Sequence, residues 1–460
     1  MDHIPPTVSG ARPVIGHGAE FFSAPERLIW RGYTEHGGLF SLSLPGVRSV
    51  VLLGAERNRF FYSETDKALS IRAAYPFFKR MFSPEFYVFA GVEEYHRQRE
   101  IVVPRFQGRQ LESYVAAMER ETERFIDGLG TEGEFDLVDE LGPLVMRIAA
   151  RCFLGADFAS RMDRDFFEEF RRFSGGMGFL LPGWLPLPRL VRSRRSRDRL
   201  RAVLGDMIRE RRRNPVRPVD FLQTLAESRY SDGEPVPDLV LVNLVLLLTW
   251  AGHETTAGHI SWAVADLLGS PDDLLRVRAE SELAVAGGSI ELADTKVLAH
   301  LDNCLHESER LHPVAYIQAR KAAEDFEMDG YRVPKGTLVF SCPAVSHRLP
   351  DEHARPDSYW PDRYARGREG KQERQSLIGF GGGVHRCTGV HFAYLEMKVI
   401  LARLFTRFDF DLLDGAPKPV RGMKTKWPES PCRVRYRARS RSGKALSSTD
   451  LPPIGLGQLA

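Results

Sequence analysis

The spacing of hydrophobic and polar positions changes along the chain, and the changes mark out elements. Up to about residue 65, two short β-type runs, Leu39-Phe40-Ser41-Leu42-Ser43-Leu44 and Ser49-Val50-Val51-Leu52-Leu53, sit among turn residues and predict a small sheet. From about 90 to 310 the apolar positions recur at a mostly helical period, with a break expected at Leu181-Pro182-Gly183-Trp184-Leu185-Pro186-Leu187-Pro188. Leu239 to Trp250 is apolar enough for a buried helix, and this run alone is too short to cross a membrane. Strand-like runs return near Tyr331 to Phe340 and Arg433 to Tyr436, with a helical run over about Val390 to Phe405. The chain shows no internal repeat, and its Ser/Gly/Pro-rich end, 439–460, reads as a disordered tail.

Composition narrows the picture. A length of 460 residues with 43% hydrophobic content supports a large core. Lys+Arg 64 against Asp+Glu 61 is too balanced to imply nucleic acid as a partner. The arginine-dense stretch Arg192 to Arg213 reads as a solvated helical face. Five scattered cysteines, at 152, 304, 342, 387 and 432, fit a reduced cytoplasmic protein without a disulfide framework. The start, Met-Asp-His-Ile-Pro-Pro, has neither a signal-sequence pattern nor an apolar span, so no membrane anchor is expected.

Candidate chemistry concentrates at Phe380-Gly381-Gly382-Gly383-Val384-His385-Arg386-Cys387-Thr388-Gly389. Glycines allow a tight loop, and the helix that follows would aim free amide N–H groups at the Cys387 sulfur, favouring a thiolate that could serve as nucleophile or metal ligand. A second feature is Ala251-Gly252-His253-Glu254-Thr255-Thr256, which interrupts an apolar helix. An acid beside a hydroxyl there is costly without partners or a use. A third is Glu307-Ser308-Glu309-Arg310, where Glu307 and Arg310 share one helix face.

The glycine-rich loop resembles the haem-binding loop of the cytochrome P-450 family, with Cys387 matching the axial iron ligand and Phe380, Gly383, His385 and Gly389 the cofactor-binding positions. The second string resembles the family's central-helix motif, in which the acid and alcohol, here Glu254 and Thr255, relay protons toward dioxygen at the haem. The third resembles its Glu-x-x-Arg element, a structural pair completed by Arg363 in Tyr359-Trp360-Pro361-Asp362-Arg363-Tyr364. The resemblance implies haem b as cofactor and a mainly α fold with small β-sheets, a single monooxygenase domain over 1–438 with a long central helix over the haem. Tyr95, Arg99, Arg320 and His385 fall at the propionate-binding positions. Tyr75, Phe78, Phe86, Phe89, Ala251, Val314, Ile317 and Met423 fall in segments that line the family's substrate pocket.

Several stretches, among them Ala74-Tyr75-Pro76-Phe77-Phe78 and Leu311-His312-Pro313, look like the sterol 14α-demethylase branch. That branch usually has His where this chain has Glu254, and the Phe-Gly element before Tyr95 is replaced by Phe82-Ser83-Pro84-Glu85-Phe86-Tyr87. The expected substrate is therefore a large apolar terpenoid, steroid or polyketide of bacterial secondary metabolism, with sterol demethylation as the alternative. A haem-dependent isomerase or peroxygenase, or a haem sensor or ligand carrier, would not need Glu254 and Thr255. No flavin or nicotinamide domain is visible, so electrons are expected from NAD(P)H through a ferredoxin reductase and a ferredoxin.

Overall fold

A computed structural model describes residues 3–439 apart from 77, 84, 85, 109, 156–163, 175–186, 218, 366 and 424. The expected disordered tail lies outside the described residues from 440 onward, and so does most of the expected break at Leu181–Pro188. Arg439, where the tail was expected to begin, donates its backbone N–H to Arg407 O at 2.9 Å.

Near the N-terminus, β1 (Leu39–Leu44) and β2 (Val47–Leu52) form an antiparallel hairpin with Leu39 opposite Leu52. Gly46 turns it at φ 69°, a left-handed value that glycine adopts without a Cβ clash. After α1 (Ala55–Ser63) comes the two-residue strand β3 (Leu69–Ser70). Helices α2 (Val92–Val102) and α3 (Gln110–Leu129), strand β4 (Glu132–Asp136) and helices α4 (Leu137–Leu154) and α5 (Pro188–Arg213) follow. The long helix α6 (Asp238–Leu268) leads to α7 (Pro271–Ala284), α8 (Ala299–Leu311), β5 (Gln318–Ala322) and β6 (Leu338–Ser341). The chain closes with α9 (Arg368–Ser376), α10 (Val390–Arg407), β7 (Phe408–Leu412) and β8 (Arg433–Ala438).

One sheet has the order β1-β2-β6-β5-β3, with β2 and β6 parallel, and a second has the order β4-β8-β7. The strand-like stretch Tyr331 to Phe340 divides, because Pro334 and the left-handed Gly336 (φ 84°) turn the chain. Tyr331–Val333 pairs with Phe326–Met328, while β6 joins the large sheet. The first 65 residues hold more helix than their β-type runs suggested: Gly18–Ser23, Pro25–His36 and α1. Pro25 at the first turn and Gly37 (φ 77°) just past the end bracket the second of these.

Helix α6 is apolar on nearly all sides because it packs against α4, α5 and α8. At 31 residues it is long and apolar enough, by length and composition, to cross a membrane, unlike the shorter run visible in the sequence. It runs without a break through Gly252. Its hydroxyls are accommodated within it: Thr249, Thr255 and Ser261 donate to the carbonyls of Val245, Ala251 and Ala257 at 2.9, 2.7 and 2.7 Å, so each is satisfied inside the helix. On α5, Arg192, Arg194, Arg195, Arg199, Arg209, Arg212 and Arg213 are exposed as expected. Arg197 and Arg201 are half-buried, and Arg211 is buried against Asp220 at 2.8 Å.

Candidate functional site

The glycine-rich loop runs from the end of α9 to the start of α10 beneath Tyr62 of α1. A Cβ on Gly382 would meet the Tyr62 ring at 2.8 Å, and one on Gly383 would meet the Tyr62 carbonyl at 2.5 Å. Gly381 and Gly383 also adopt left-handed φ values of 72° and 61°. Glycine is thus required both by backbone conformation and by close packing.

The loop closes on itself through Cys387 N–H to Phe380 O at 2.9 Å. Of the five free thiols, Cys152, Cys304, Cys342 and Cys432 are buried and Cys387 is exposed. Enough protein nevertheless surrounds Cys387 to penalise its charged form. That burial raises the thiol pKa despite the Gly389 N–H and the Arg386 charge, which favour the thiolate. Of the amides expected at the start of α10, the Gly389 N–H at its N-cap favours the charged sulfur, and desolvation opposes it. A thiol of this kind ionises when a cation binds it, which suits a metal ligand better than a free nucleophile.

The groups expected around the haem carboxylates converge from three separate elements, α2, β5 and the cysteine loop. Tyr95 of α2 stacks on His385 with centroids 4.3 Å apart and donates its hydroxyl to Val384 O at 2.9 Å. Arg99, one turn later, reaches the Tyr95 hydroxyl at 3.5 Å. His385 Nε2 lies 2.5 Å from Asp66, and its Nδ1 is buried without a hydrogen-bond partner. Arg320 of β5 is buried with Thr65 Oγ1 at 3.0 Å and Ala319 O at 2.8 Å as acceptors, and burial lowers its pKa. A buried guanidinium held by neutral oxygens and an orphaned imidazole nitrogen fit a group carrying carboxylates, as haem does.

On α6, Ala251 to Thr255 are half-buried amid mostly buried residues, so this stretch presents an accessible face. Glu254 and Thr255 both lie there, and the Thr255 hydroxyl donates to Ala251 O. The Glu307 carboxylate receives Arg310 through two bonds of 2.9 Å and the Arg363 Nε at 3.1 and 3.0 Å. Trp360 N–H adds a third donor at 2.9 Å, and all three charged side chains are buried. Arg310 also caps the carbonyls of His347, Pro356 and Ser358, which ties α8 to the segment before Arg363.

Among the residues expected at a substrate pocket, Tyr75, Phe78, Ala251, Val314, Ile317 and Met423 are half-buried. Phe86 and Phe89 are buried, Phe86 stacked on Phe82 at 4.3 Å and Phe89 on Phe78 at 4.6 Å, so both form the packed wall behind the half-buried set. Tyr75 is fixed by Ala319 N–H donating to its hydroxyl at 2.8 Å. Sequence reasoning missed Thr65 and Asp66, which lie in a turn without a recognisable motif. It also missed Tyr87, whose hydroxyl lies 3.2 Å from Thr388 Oγ1 beside the thiol loop.

A mainly helical single domain with small sheets, and a glycine-framed cysteine loop that meets the long helix α6 where the Phe380 and His259 ring centroids lie 6.2 Å apart, are the features of a haem-thiolate oxidoreductase. The cytochrome P450 family model matches residues 5–434, and the chain belongs to that family. Sterol 14α-demethylase from Mycolicibacterium vanbaalenii is 31% identical over 451 residues, covering 95% of this chain and 98% of the relative. The Mycobacterium tuberculosis sterol 14α-demethylase is 31% identical over 447 residues, again 95% and 98% of the two chains. The human lanosterol 14-alpha demethylase is 27% identical over 449 residues, 95% of this chain and 87% of its own. A retinoic acid-bound cyanobacterial CYP120A1 superposes with a TM-score of 0.84 at 25% identity, covering 95% and 100%. The protein is accordingly a P450 monooxygenase that uses haem b with a cysteine thiolate ligand, accepts electrons from redox partners, and binds dioxygen and a hydrophobic substrate.

Proposed function

We propose that Cys387 is the iron ligand, and that the protein inserts one oxygen atom of dioxygen into a large apolar terpenoid, steroid or polyketide of bacterial secondary metabolism. The carrying observation is that Cys387, the one exposed thiol of the five, lies beside a cradle of Tyr95, Arg99, Arg320 and His385 that suits carboxylates. Haem bound there supplies dioxygen activation. The chain's own residues bind, orient and exclude water: His385 and Arg320 hold the carboxylates, and the Phe78, Phe82, Phe86 and Phe89 cluster forms a dry wall. Glu254 brings protons in from solvent, and Thr255 holds one at its Oγ1 on the accessible face of α6.

Sterol 14α-demethylation is the second reading, favoured by the 31% identity to enzymes of that name. Glu254, in place of that branch's usual His, favours a different apolar skeleton. Free thiols at all five cysteines support a cytoplasmic location. Exposed Arg386, beside Cys387, supports an acidic ferredoxin as the donor, reduced by its reductase at the expense of NAD(P)H. Titrating haem-loaded protein with a panel of sterols, terpenes and macrolides tests the substrate class. A saturable substrate-type absorbance shift with one of these skeletons is expected; shifts only with small polar compounds would overturn it.

A further inference from the structure

At the start of the thiol loop lies a carboxyl that neither the relay nor the Glu307 ion pair uses. Glu309, on α8 between Glu307 and Arg310, is buried. It accepts the Tyr394 hydroxyl at 2.6 Å and the backbone N–H groups of Gly379 and Phe380, where the loop begins. Gly379 must be glycine here, because a Cβ would stand 2.6 Å from the Glu309 carboxylate. From Phe380 the hydrogen-bond chain continues to Cys387, whose N–H donates to Phe380 O at 2.9 Å. Three donors satisfy most of the carboxylate, so it can remain charged in a buried place.

We propose that Glu309 is a positioning residue for the haem-thiolate centre: its carboxylate clamps the start of the loop to α10 and places a negative charge behind Cys387, lowering the reduction potential of the iron. The inference rests on Cys387 as the ligand. A negative charge near a one-electron centre opposes the incoming electron, more strongly in a buried place than in water. The charge is adjustable. Burial raises the Glu309 pKa to about 7, held down by the Tyr394 hydroxyl, Arg386 and the two loop amides. A cavity of about 510 Å³ lined by Glu309, Arg386 and Tyr394 gives the carboxyl contact with solvent. The other titratable groups facing this cluster are His306 of its own helix, Lys296 just before that helix, Arg374 of α9, His391 of α10 and, beyond Tyr394, His259 of α6. Lys398 and Asp302 at the cavity edge pair with each other at 3.0 Å. Reduction of the iron by the donor's one electron is then coupled to uptake of a proton at Glu309.

The test is spectroelectrochemical titration of haem-loaded protein at pH 6 and pH 8. The wild-type potential should fall as pH rises through about 7, as the carboxyl ionises. Glu309→Gln keeps acceptors for the loop amides but removes the charge. At pH 8 it should show about a tenfold larger reduced-to-oxidised ratio at any fixed potential, equal to ~59 mV for one electron, and little pH dependence. Tyr394→Phe deletes one donor to the carboxylate and should move the wild-type pH step upward. If Glu309→Gln tracks the wild type at both pH values, or is shifted equally at both, the proposal is overturned. Should that variant not retain haem, an unmoved pH step in Tyr394→Phe overturns it alone. A wild-type carbon monoxide band of thiolate type, recorded first, separates failure of this inference from failure of the Cys387 assignment.

Discussion

The Thr255 hydroxyl donates to Ala251 O at 2.7 Å, so its remaining oxygen lone pairs are free to accept from a group on the accessible face of α6. Thr255→Ala removes that acceptor but not the pocket. It should still bind haem and substrate and still consume NAD(P)H, while product per NAD(P)H falls by about an order of magnitude and hydrogen peroxide accumulates. Losing a positioned proton-transfer group costs ~10²–10⁴-fold at the limit. Glu254→Gln should slow the whole cycle, because protons reach the site more slowly. Tight coupling in both variants would show that these residues only shape the helix. A second residue-scale test concerns Glu307, which holds two buried arginines. Glu307→Ala strands both charges, and removing one partner of a buried pair costs ~3–5 kcal/mol. Loss of soluble, haem-retaining protein is expected; a thermal midpoint near the wild type would contradict it.

At the scale of elements, α10 follows directly from the cysteine loop and carries Glu396 inward. Both carboxyl oxygens of Glu396 are buried without hydrogen-bond partners, and desolvation raises its pKa well above the usual value. The folded state keeps its proton while the unfolded chain loses it above a pH of about 4.5. Stability is therefore lost as pH rises from the unfolded pKa toward the folded one. Glu396→Gln should remove this term, so its thermal midpoint should gain on the wild type between pH 5 and pH 8; parallel curves would refute the assignment. Elements such as β1, β8, α6 and α10 were legible because their apolar period is local. The helices before residue 65 were less so, since short β-type runs nearby dominated the reading. Contiguous strings exposed the loop, the α6 face and the Glu-x-x-Arg pair. Thr65, Asp66 and Tyr87 remained invisible because they meet the loop only through the fold, and Glu309 because it fills a spacer position of a motif.

For the whole molecule, the proposed donor-docking face is the surface around the Cys387 loop, where Arg386 is exposed. Haem-loaded protein with NAD(P)H alone should not turn over, and adding a ferredoxin and its reductase should restore turnover. Arg97 already pairs with Asp232 at 2.7 Å and lies over Tyr230, whereas Arg386 is exposed. Charge reversal at Arg386 should thus slow reduction and weaken its salt dependence more than reversal at Arg97; no change at either would place docking elsewhere. The identity of the thiolate ligand is the central claim, and the spectrum of reduced protein under carbon monoxide tests it most directly. A strongly red-shifted Soret band is expected in the wild type and in Cys432→Ser, and its loss in Cys387→Ser. A histidine-type band in folded wild-type protein, or a red-shifted band that survives Cys387→Ser, would contradict the account.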